Sequence, residues 1–401
     1  MDLTAVQDEL AAVYAEVPAA VGAVVAVSRG GAAPAVTAFG TRSTDGSPME
    51  ASTIFQIASM TKPITTVVAL QLIEEGRLRL DDGVSRWIPE LAHRRVISGD
   101  GGERPADREI TVEDLLTQRS GIPYAHDESG ELGERMRERL GPPLGTTVTA
   151  QEWAERLGSL PQPIDPGARF RYGLSTDVLG VLIQREFGRG LGEVMAERVF
   201  EPLGMRDTGF WVRPGDVGRV ARMYRSTPSG VVDVSIIARE RPVFESAGGG
   251  LYSTADDYMR FLGMLGGGGE LGGVRLLSPE SVTTMTTNKL TPEQRALPAL
   301  GVDDFFAAHG FGYGVAVLLE PEALPTGLRP GRGAYGWSGG FGTWWAIDPD
   351  RDVRILLLAQ YETAVSGLVT SDPAMGALGH FRRRDVLALC RAVYHQVGSH
   401  A

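Results

Sequence analysis

The chain contains almost no cysteine and almost no lysine. Among its 401 residues, one is a cysteine, Cys390, and two are lysines, Lys62 and Lys289. A single thiol excludes an internal disulfide and a cysteine-based metal site. The apolar periodicity around Cys390 predicts a buried helix residue rather than a reactive thiol. The six histidines show no metal-ligand spacing, so we expect neither a metal nor another cofactor.

Long apolar runs and an excess of basic residues are also missing. No stretch approaches eighteen uninterrupted apolar residues, so no membrane-spanning helix is expected. The first residues contain neither a basic nor an apolar leader segment, which predicts a cytoplasmic protein. The formal net charge of −11 argues against nucleic acid or an anionic membrane as the main partner. None of these features predicts an oligomeric state.

The scarcity of lysine makes the segment Ser59-Met60-Thr61-Lys62 informative. Arginine supplies 37 of the 39 basic residues, yet a lysine stands three positions after this serine. A guanidinium does not deprotonate in a protein, whereas a desolvated ammonium can lose its proton near neutral pH. A serine followed one helical turn later by a lysine can therefore activate a hydroxyl without histidine. The structural alternative is a serine N-cap beside a lysine that extends to solvent.

Hydrophobic periodicity predicts helices and strands at both ends of the chain and a mostly helical middle. We read residues 81–239 as a mostly helical insertion into a discontinuous α/β domain formed by residues 1–80 and 240–401, with the active site between the two. The predicted strands are 22–28, 35–39, 342–347 and 353–359, and the predicted helices include 4–16, 59–75, 177–187, 253–265 and 385–397.

Three motifs occur in a fixed order. They are Phe55-Gln56-Ile57-Ala58-Ser59-Met60-Thr61-Lys62, Arg171-Tyr172-Gly173-Leu174-Ser175 and Gly336-Trp337-Ser338-Gly339-Gly340. Their order and spacing resemble the serine hydrolases of the class C β-lactamase and penicillin-binding-protein-like superfamily, most closely the family VIII carboxylesterases. The stretches 115–121, 202–208 and 248–254 resemble connecting segments of the same family. The resemblance implies a β-lactamase-like fold, an antiparallel sheet flanked by helices with a helical insertion.

The resemblance also implies roles for individual residues. Ser59 would be the nucleophile, and Lys62 can reach it because positions i and i+3 share a helix face. Lys62 with Tyr172 would be the base pair. The backbone N–H groups of Ser59 and of Gly340 or Gly339 would form the oxyanion hole. An acyl-enzyme on Ser59 would then be released by water or by an alcohol.

Two departures from the lactamase pattern bear on the substrate. The lysine of the late Lys-Thr-Gly strand is replaced by Trp337, and the asparagine of the Tyr-Ser-Asn element is replaced by Leu174. Both changes remove polar anchors and add apolar surface, which favours a small-molecule ester with an apolar acyl or alcohol part. The alternatives are acyl transfer to a small-molecule acceptor, β-lactamase or D-amino-acid peptidase activity, and a catalytically idle acyl-ligand-binding protein. Because Arg332 could supply a positive charge nearby, the sequence does not decide between an ester and these alternatives.

Three further residues, Ser338, Tyr124 and Tyr172, each have two possible interpretations. The segment Gly336–Gly340 also matches G-x-S-x-G, a nucleophile elbow that needs a strand–turn–helix context and a later histidine, here His380. We expect Ser338 to line the pocket instead. Tyr124 is either a pocket residue or an ordinary loop aromatic, and Tyr172 has the alternative of a buried aromatic with a satisfied hydroxyl.

Overall fold

Helices flank the fold at both ends of the chain and fill its middle. The computed structural model describes residues 1–142, 145–300, 305–324, 328–362 and 383–398, so His380 lies outside the described residues. The α-helices are α1 Thr4–Ala15, α2 Thr61–Glu74, α3 Val112–Leu116, α4 Gly130–Leu140, α5 Ala150–Gly158, α6 Ser175–Phe187, α7 Leu191–Met195, α8 Glu201–Leu203, α9 Ala255–Gly266, α10 Pro279–Met285, α11 Pro292–Arg295 and α12 Arg384–Gly398. Short 3₁₀ turns occur at Ala58–Met60, Val84–Arg86, Pro89–Leu91, Pro214–Arg219 and Pro321–Ala323, and a π-helical turn at Ala196–Phe200.

Strands from the two ends of the chain join in one antiparallel sheet. The strands are β1 Gly22–Arg29, β2 Ala35–Gly40, β3 Phe55–Gln56, β4 Arg95–Ile97, β5 Glu103–Pro105, β6 Tyr224–Thr227, β7 Gly230–Asp233, β8 Tyr252–Ser253, β9 Glu270–Leu271, β10 Val274–Arg275, β11 His309–Phe311, β12 Ala316–Leu318, β13 Tyr335–Gly339, β14 Thr343–Asp348 and β15 Val353–Ala359. The large sheet has the order β11-β12-β13-β14-β15-β1-β2. This is the expected β-lactamase-like α/β fold, and the register Val25↔Leu357 joins the first strand directly to the last.

Both faces of the sheet are covered, which explains why its central strands are apolar throughout. Every residue of β15 is buried, as are the first seven of β1. Successive side chains of a strand point to opposite faces. Trp344 accordingly joins the apolar cluster under α1 and α12, whereas Trp345 joins the larger cluster that contains α2. Both tryptophans are completely buried.

The middle of the chain is mostly helical but not free of strands. Two short ribbons, β4–β5 and β6–β7, lie within residues 81–239, where the sequence shows no regular alternation. Ribbons of three or four residues are too short to establish a visible period. The larger apolar cluster runs without a break from Phe55 in the first segment through Leu115 and Leu182 to Trp345. The division into two domains stays a prediction.

Membrane-length apolar helices and metal-type clusters are absent from the described residues. In the described ranges, no helix is both long and apolar enough to cross a bilayer. No group of three or more His, Cys, Asp or Glu side chains there has the arrangement of a metal site. Cys390 lies fully buried in α12, as its apolar surroundings predict.

Candidate active site

Ser59 lies in a tight turn that other elements clamp in place. It is the middle residue of the 3₁₀ turn Ala58–Met60, immediately before α2. Ala58 has a φ of +46°, a left-handed conformation that costs a non-glycine residue about 1 kcal/mol and persists only when its surroundings impose it. The hydroxyl of Thr343 donates to the carbonyl of Ile57 at 3.1 Å, and that of Tyr258 donates to the carbonyl of Met60 at 2.9 Å. The turn that carries Ser59 is therefore held by hydrogen bonds from two other elements, and Ser59 remains partly exposed.

The end of β13 lies directly against this turn. A Cβ atom on Gly339 would overlap the carbonyl oxygen of Ile57 and contact Cβ of Ala58 at 3.2 Å, so only glycine permits the approach. Gly340, which follows it, is exposed and has open space around its Cα. The two glycines expected to supply an oxyanion donor thus lie next to the residue that precedes Ser59.

Lys62 is completely buried and all three of its ammonium protons have acceptors. Its Nζ lies 3.2 Å from Ser59 Oγ, 2.9 Å from the Tyr124 hydroxyl and 2.7 Å from the Gly248 carbonyl oxygen. The hydrogen-bond partners of this nitrogen in the described part of the chain are two hydroxyls and a backbone carbonyl. The serine and the lysine therefore meet as their spacing predicts, but the ammonium is held by neutral groups.

Burial and the neighbouring side chains shift the pKa of Lys62 in opposite directions. Burial by itself lowers the pKa of the ammonium, but Tyr124, Tyr172 and Asp177 outweigh burial and raise this pKa above its usual range. Burial raises the pKa of Tyr124, and Lys62 offsets that only in part. The ammonium and the phenol consequently share one excess proton, which has to leave before either group can act as a base.

The two tyrosines occupy different positions around Lys62. The sequence predicted Tyr172 as the partner of Lys62, yet its ring lies under the ammonium, with Nζ 4.6 Å from the ring centroid. The Tyr172 hydroxyl instead accepts from the indole N–H of Trp337 at 3.0 Å. Tyr124 is the tyrosine whose hydroxyl bonds Lys62. Its position in the loop after α3 carried too little sequence signal to separate a pocket residue from an ordinary loop aromatic.

Aromatic rings surround Trp337, which occupies the position of the lactamase lysine. Phe311 lies 5.2 Å from it between ring centroids, Tyr172 5.4 Å and Phe305 6.4 Å. The sequence did not single out Phe305 or Phe311, because both lie far from the three motifs along the chain. An indole among rings offers an apolar wall where a lactamase has a cation.

Ser338 does not share the face of Trp337. It pairs in register with Trp344, and Trp337 pairs with Trp345, so the two side chains leave opposite faces of β13. After Gly339 the chain turns into β14 rather than into a helix. The strand–turn–helix context of a nucleophile elbow is therefore missing at Ser338.

A small cavity adjoins the site beside Tyr124. Its volume is about 20 Å³, room for roughly one water molecule, and most of its wall is apolar. Leu174, the residue found in place of an asparagine, is part of this wall. The lining residues are Tyr124, Ala125, Leu140, Gly141, Pro142, Thr146, Trp153, Leu174, Asp177 and Phe244.

Comparisons with known proteins agree with this architecture. The sequence model of the Beta-lactamase family matches residues 10–376. Protein Rv1367c of Mycobacterium tuberculosis is 40% identical over 345 residues, covering 83% of this chain and 84% of its own length. Esterase EstB of Burkholderia gladioli is 32% identical over 345 residues, covering 80% of this chain and 81% of its own length. The structure of EstCE1, a hydrolase with promiscuous acyltransferase activity, superposes with a TM-score of 0.76 at 25% identity, covering 96% of this chain and 98% of that one. The chain therefore belongs to the Beta-lactamase family.

Proposed function

We propose that this protein is a serine hydrolase that cleaves carboxylic esters through an acyl-enzyme on Ser59. The observation that carries the proposal is the contact of Lys62 Nζ with both Ser59 Oγ and the Tyr124 hydroxyl, at 3.2 and 2.9 Å. A lysine in contact with a serine and a phenol can take the serine proton once the pair has released its excess proton. The kinship with esterase EstB supports the same reaction.

The proton follows a closed path in this proposal. Ser59 Oγ attacks the ester carbonyl and gives its proton to the Lys62–Tyr124 pair, while the backbone N–H groups of Ser59 and Gly340 bind the oxyanion. Tyr172, whose hydroxyl oxygen already accepts from Trp337, donates a proton to the leaving alcohol and recovers it from the pair. Water then attacks the acyl-enzyme, releases the acid and restores the Ser59 hydroxyl.

The substrate class follows from the walls of the site. Trp337 and the rings around it favour an apolar acyl or alcohol group, and they offer no cation for the carboxylate of a β-lactam or of a D-amino-acid peptide. We therefore expect turnover of short apolar esters to exceed hydrolysis of β-lactams or D-alanyl peptides by a wide margin.

The experiment is turnover of short p-nitrophenyl esters by the wild type and by two serine variants. Ser59→Ala is expected to abolish turnover, and the matched Ser338→Ala is expected to retain it. Undiminished activity of Ser59→Ala, or loss only in Ser338→Ala, would refute the assignment. If Ser59 in the wild type also failed to react with a fluorophosphonate probe, the catalytically idle binding protein would be the better description.

Acyl transfer is a second candidate, supported by the description of EstCE1 as a hydrolase with promiscuous acyltransferase activity. The same acyl-enzyme would be attacked by a small-molecule alcohol or amine in place of water. Adding such acceptors to the esterase assay is expected to divert part of the acyl group into a new ester or amide. A product ratio that stays at plain hydrolysis over a range of acceptors excludes this reading.

A further inference from the structure

A buried carboxylate is connected to Lys62 through a single residue. Asp177, in the first turn of α6, is 3% exposed and accepts from the Ser246 hydroxyl at 2.7 Å and from the Gly248 N–H at 3.0 Å. The carbonyl of the same Gly248 accepts from Lys62 Nζ at 2.7 Å. The Gly248 residue therefore joins the carboxylate, through its N–H, to the ammonium, through its C=O.

We propose that Asp177 is a positioning residue of the active site, which acts through Gly248 to hold the Lys62 ammonium between Ser59 and Tyr124. The proposal rests on the proposed function of Ser59 and Lys62. By fixing Gly248, Asp177 keeps the carbonyl of that residue in place to accept one ammonium proton, which leaves the other two protons directed at the serine and the phenol. Its negative charge balances that of Lys62, whose contacts within the described residues are with neutral groups.

The lack of space at Gly248 supports a close fit between this glycine and Asp177. A Cβ atom on Gly248 would lie 2.6 Å from Oδ2 of Asp177, so any side chain there would displace the carboxylate. A Cβ atom on the next residue, Gly249, would meet nothing closer than 3.8 Å. Both donors that reach Asp177, the Ser246 hydroxyl and the Gly248 N–H, end on the same atom, Oδ1.

Lys62 and Tyr124 are the titratable groups that interact with Asp177, from α2 and from the loop after α3. Charged groups on the other elements packed against α6, and on α6 itself, are engaged elsewhere. Asp114 pairs with Arg108, Glu113 with Arg119, Glu193 and Glu245 with Arg241, Arg185 with Glu90, and Glu186 with Arg77. Glu155 accepts from Gln151, Glu152 accepts from the Thr149 cap, and Arg156 donates to the Arg139 carbonyl.

The expected effect is a shift of the pH profile. Asp177→Asn keeps the shape and an acceptor oxygen but removes the charge, so the Lys62–Tyr124 pair releases its proton more easily. The rising limb of labelling rate against pH, measured on the whole protein with a fluorophosphonate probe, is expected to move about one pH unit lower. The maximal rate is expected to fall by about 3–10-fold, because the Lys62 base is weaker and less well held.

Asp257→Asn is the matched control. Asp257 is also a buried carboxylate in the first turn of a helix, and it accepts from one hydroxyl, Thr208, at 2.8 Å and from one backbone N–H, Asp207, at 2.7 Å. It has no link to Lys62 comparable to Gly248. Its pH limb is expected to stay within about 0.2 units of the wild type. A limb that does not move in folded Asp177→Asn, or that moves equally in Asp257→Asn, overturns the proposal.

A glycine pair tests the link if Asp177→Asn does not fold. Gly248→Ala displaces the carboxylate and is expected to lower the labelling rate at least tenfold more than Gly249→Ala, with the greater loss in rate rather than in ester KM. Equal losses contradict the proposal. Ser59→Ala distinguishes failure of this proposal from failure of the proposed function. If Ser59→Ala still reacts with the probe, the proposed function fails. If Ser59→Ala does not react and the pH limb of Asp177→Asn stays at the wild-type position, only the role of Asp177 is refuted.

Discussion

The two faces of the central sheet each bury a cation, and they treat it differently. Behind the sheet, Arg383 forms an ion pair of 2.6 Å with Asp385 and donates to the Tyr361 hydroxyl and to two backbone carbonyls. In front of the sheet, Lys62 contacts a serine, a tyrosine and the carbonyl of Gly248, and Asp177 is linked to it only through the backbone of that glycine. The charge of Arg383 is therefore neutralised by a carboxylate in direct contact, whereas Lys62 is surrounded by hydroxyl groups that can exchange protons.

This difference separates a structural ion from a reactive one. Asp385 has a pKa that burial raises but that Arg383 and its hydrogen bonds lower further, so the net pKa falls below its usual range and the pair stays ionised. It ties α12 to the sheet and, through the Tyr14 hydroxyl, to α1. Lys62 has two hydroxyl partners that can each give or take a proton. A buried charge that performs chemistry needs partners of this second kind.

Replacing Lys62 is expected to have the largest effect on activity. Lys62→Arg keeps the positive charge but removes a group that can deprotonate, so kcat/KM for a p-nitrophenyl ester should fall by at least about 10³-fold. Lys289→Arg is the natural control, because Lys289 is the other lysine of the chain and lies over the Tyr313 ring, 5.0 Å from its centroid. Activity retained in Lys62→Arg would show that charge alone suffices.

Replacing Arg383 is expected to affect stability most. Arg383→Met leaves Asp385 buried without its ion-pair partner, which costs about 3–5 kcal/mol in the free energy of unfolding. Urea unfolding monitored by circular dichroism measures the loss. The double variant Arg383→Met with Asp385→Leu should recover part of it, since no unpaired charge remains. A loss below about 1 kcal/mol in the single variant would mean that the rear ion pair is not structural.

Replacing each of the two tyrosines near Lys62 should impair activity in a different way. Tyr124→Phe removes a partner of the ammonium and should both lower kcat by about 10²-fold and move the rising pH limb, because the phenol and the lysine titrate together. Tyr172→Phe removes the proposed proton donor to the leaving alcohol. Its loss should be much larger for an alkyl ester than for a p-nitrophenyl ester, whose leaving group needs no proton. Identical responses of the two variants would contradict this division of roles.

A partly exposed ion pair should give the smallest effect. Arg185 donates to both carboxylate oxygens of Glu90, at 2.8 and 2.9 Å, and lowers the pKa of Glu90 to about 2. Because the pKa is lower in the folded state, the contribution is present above the usual glutamate pKa near 4.5 and is lost as the pH falls through about 2. Glu90→Gln should therefore cost up to about 1 kcal/mol at pH 7 and progressively less as the pH falls through about 2, measured by urea unfolding. A difference independent of pH would exclude the ion pair as its cause.

Much of the fold was predictable because its signals are local. The strand of Val24–Val27 and the amphipathic helix around Leu10 show their period within a few residues, and the predicted bounds agree with the observed ones to within one or two residues. The ribbons β4–β5 and β6–β7 escaped prediction since three or four residues are too few to show alternation. Ser59 and Lys62 were predictable for the same local reason, as one helical turn separates them.

The sequence by itself determined the nucleophile–lysine spacing, the rarity of that lysine and the family to which the chain belongs. Only the tertiary structure decided which tyrosine contacts Lys62 and which carboxylate balances it. Tyr124 and Asp177 are 62 and 115 positions away from Lys62 along the chain, and packing of α6 and two loops around α2 brings them together. No local pattern encodes a contact of that kind, because its geometry depends on how separate elements fill one core.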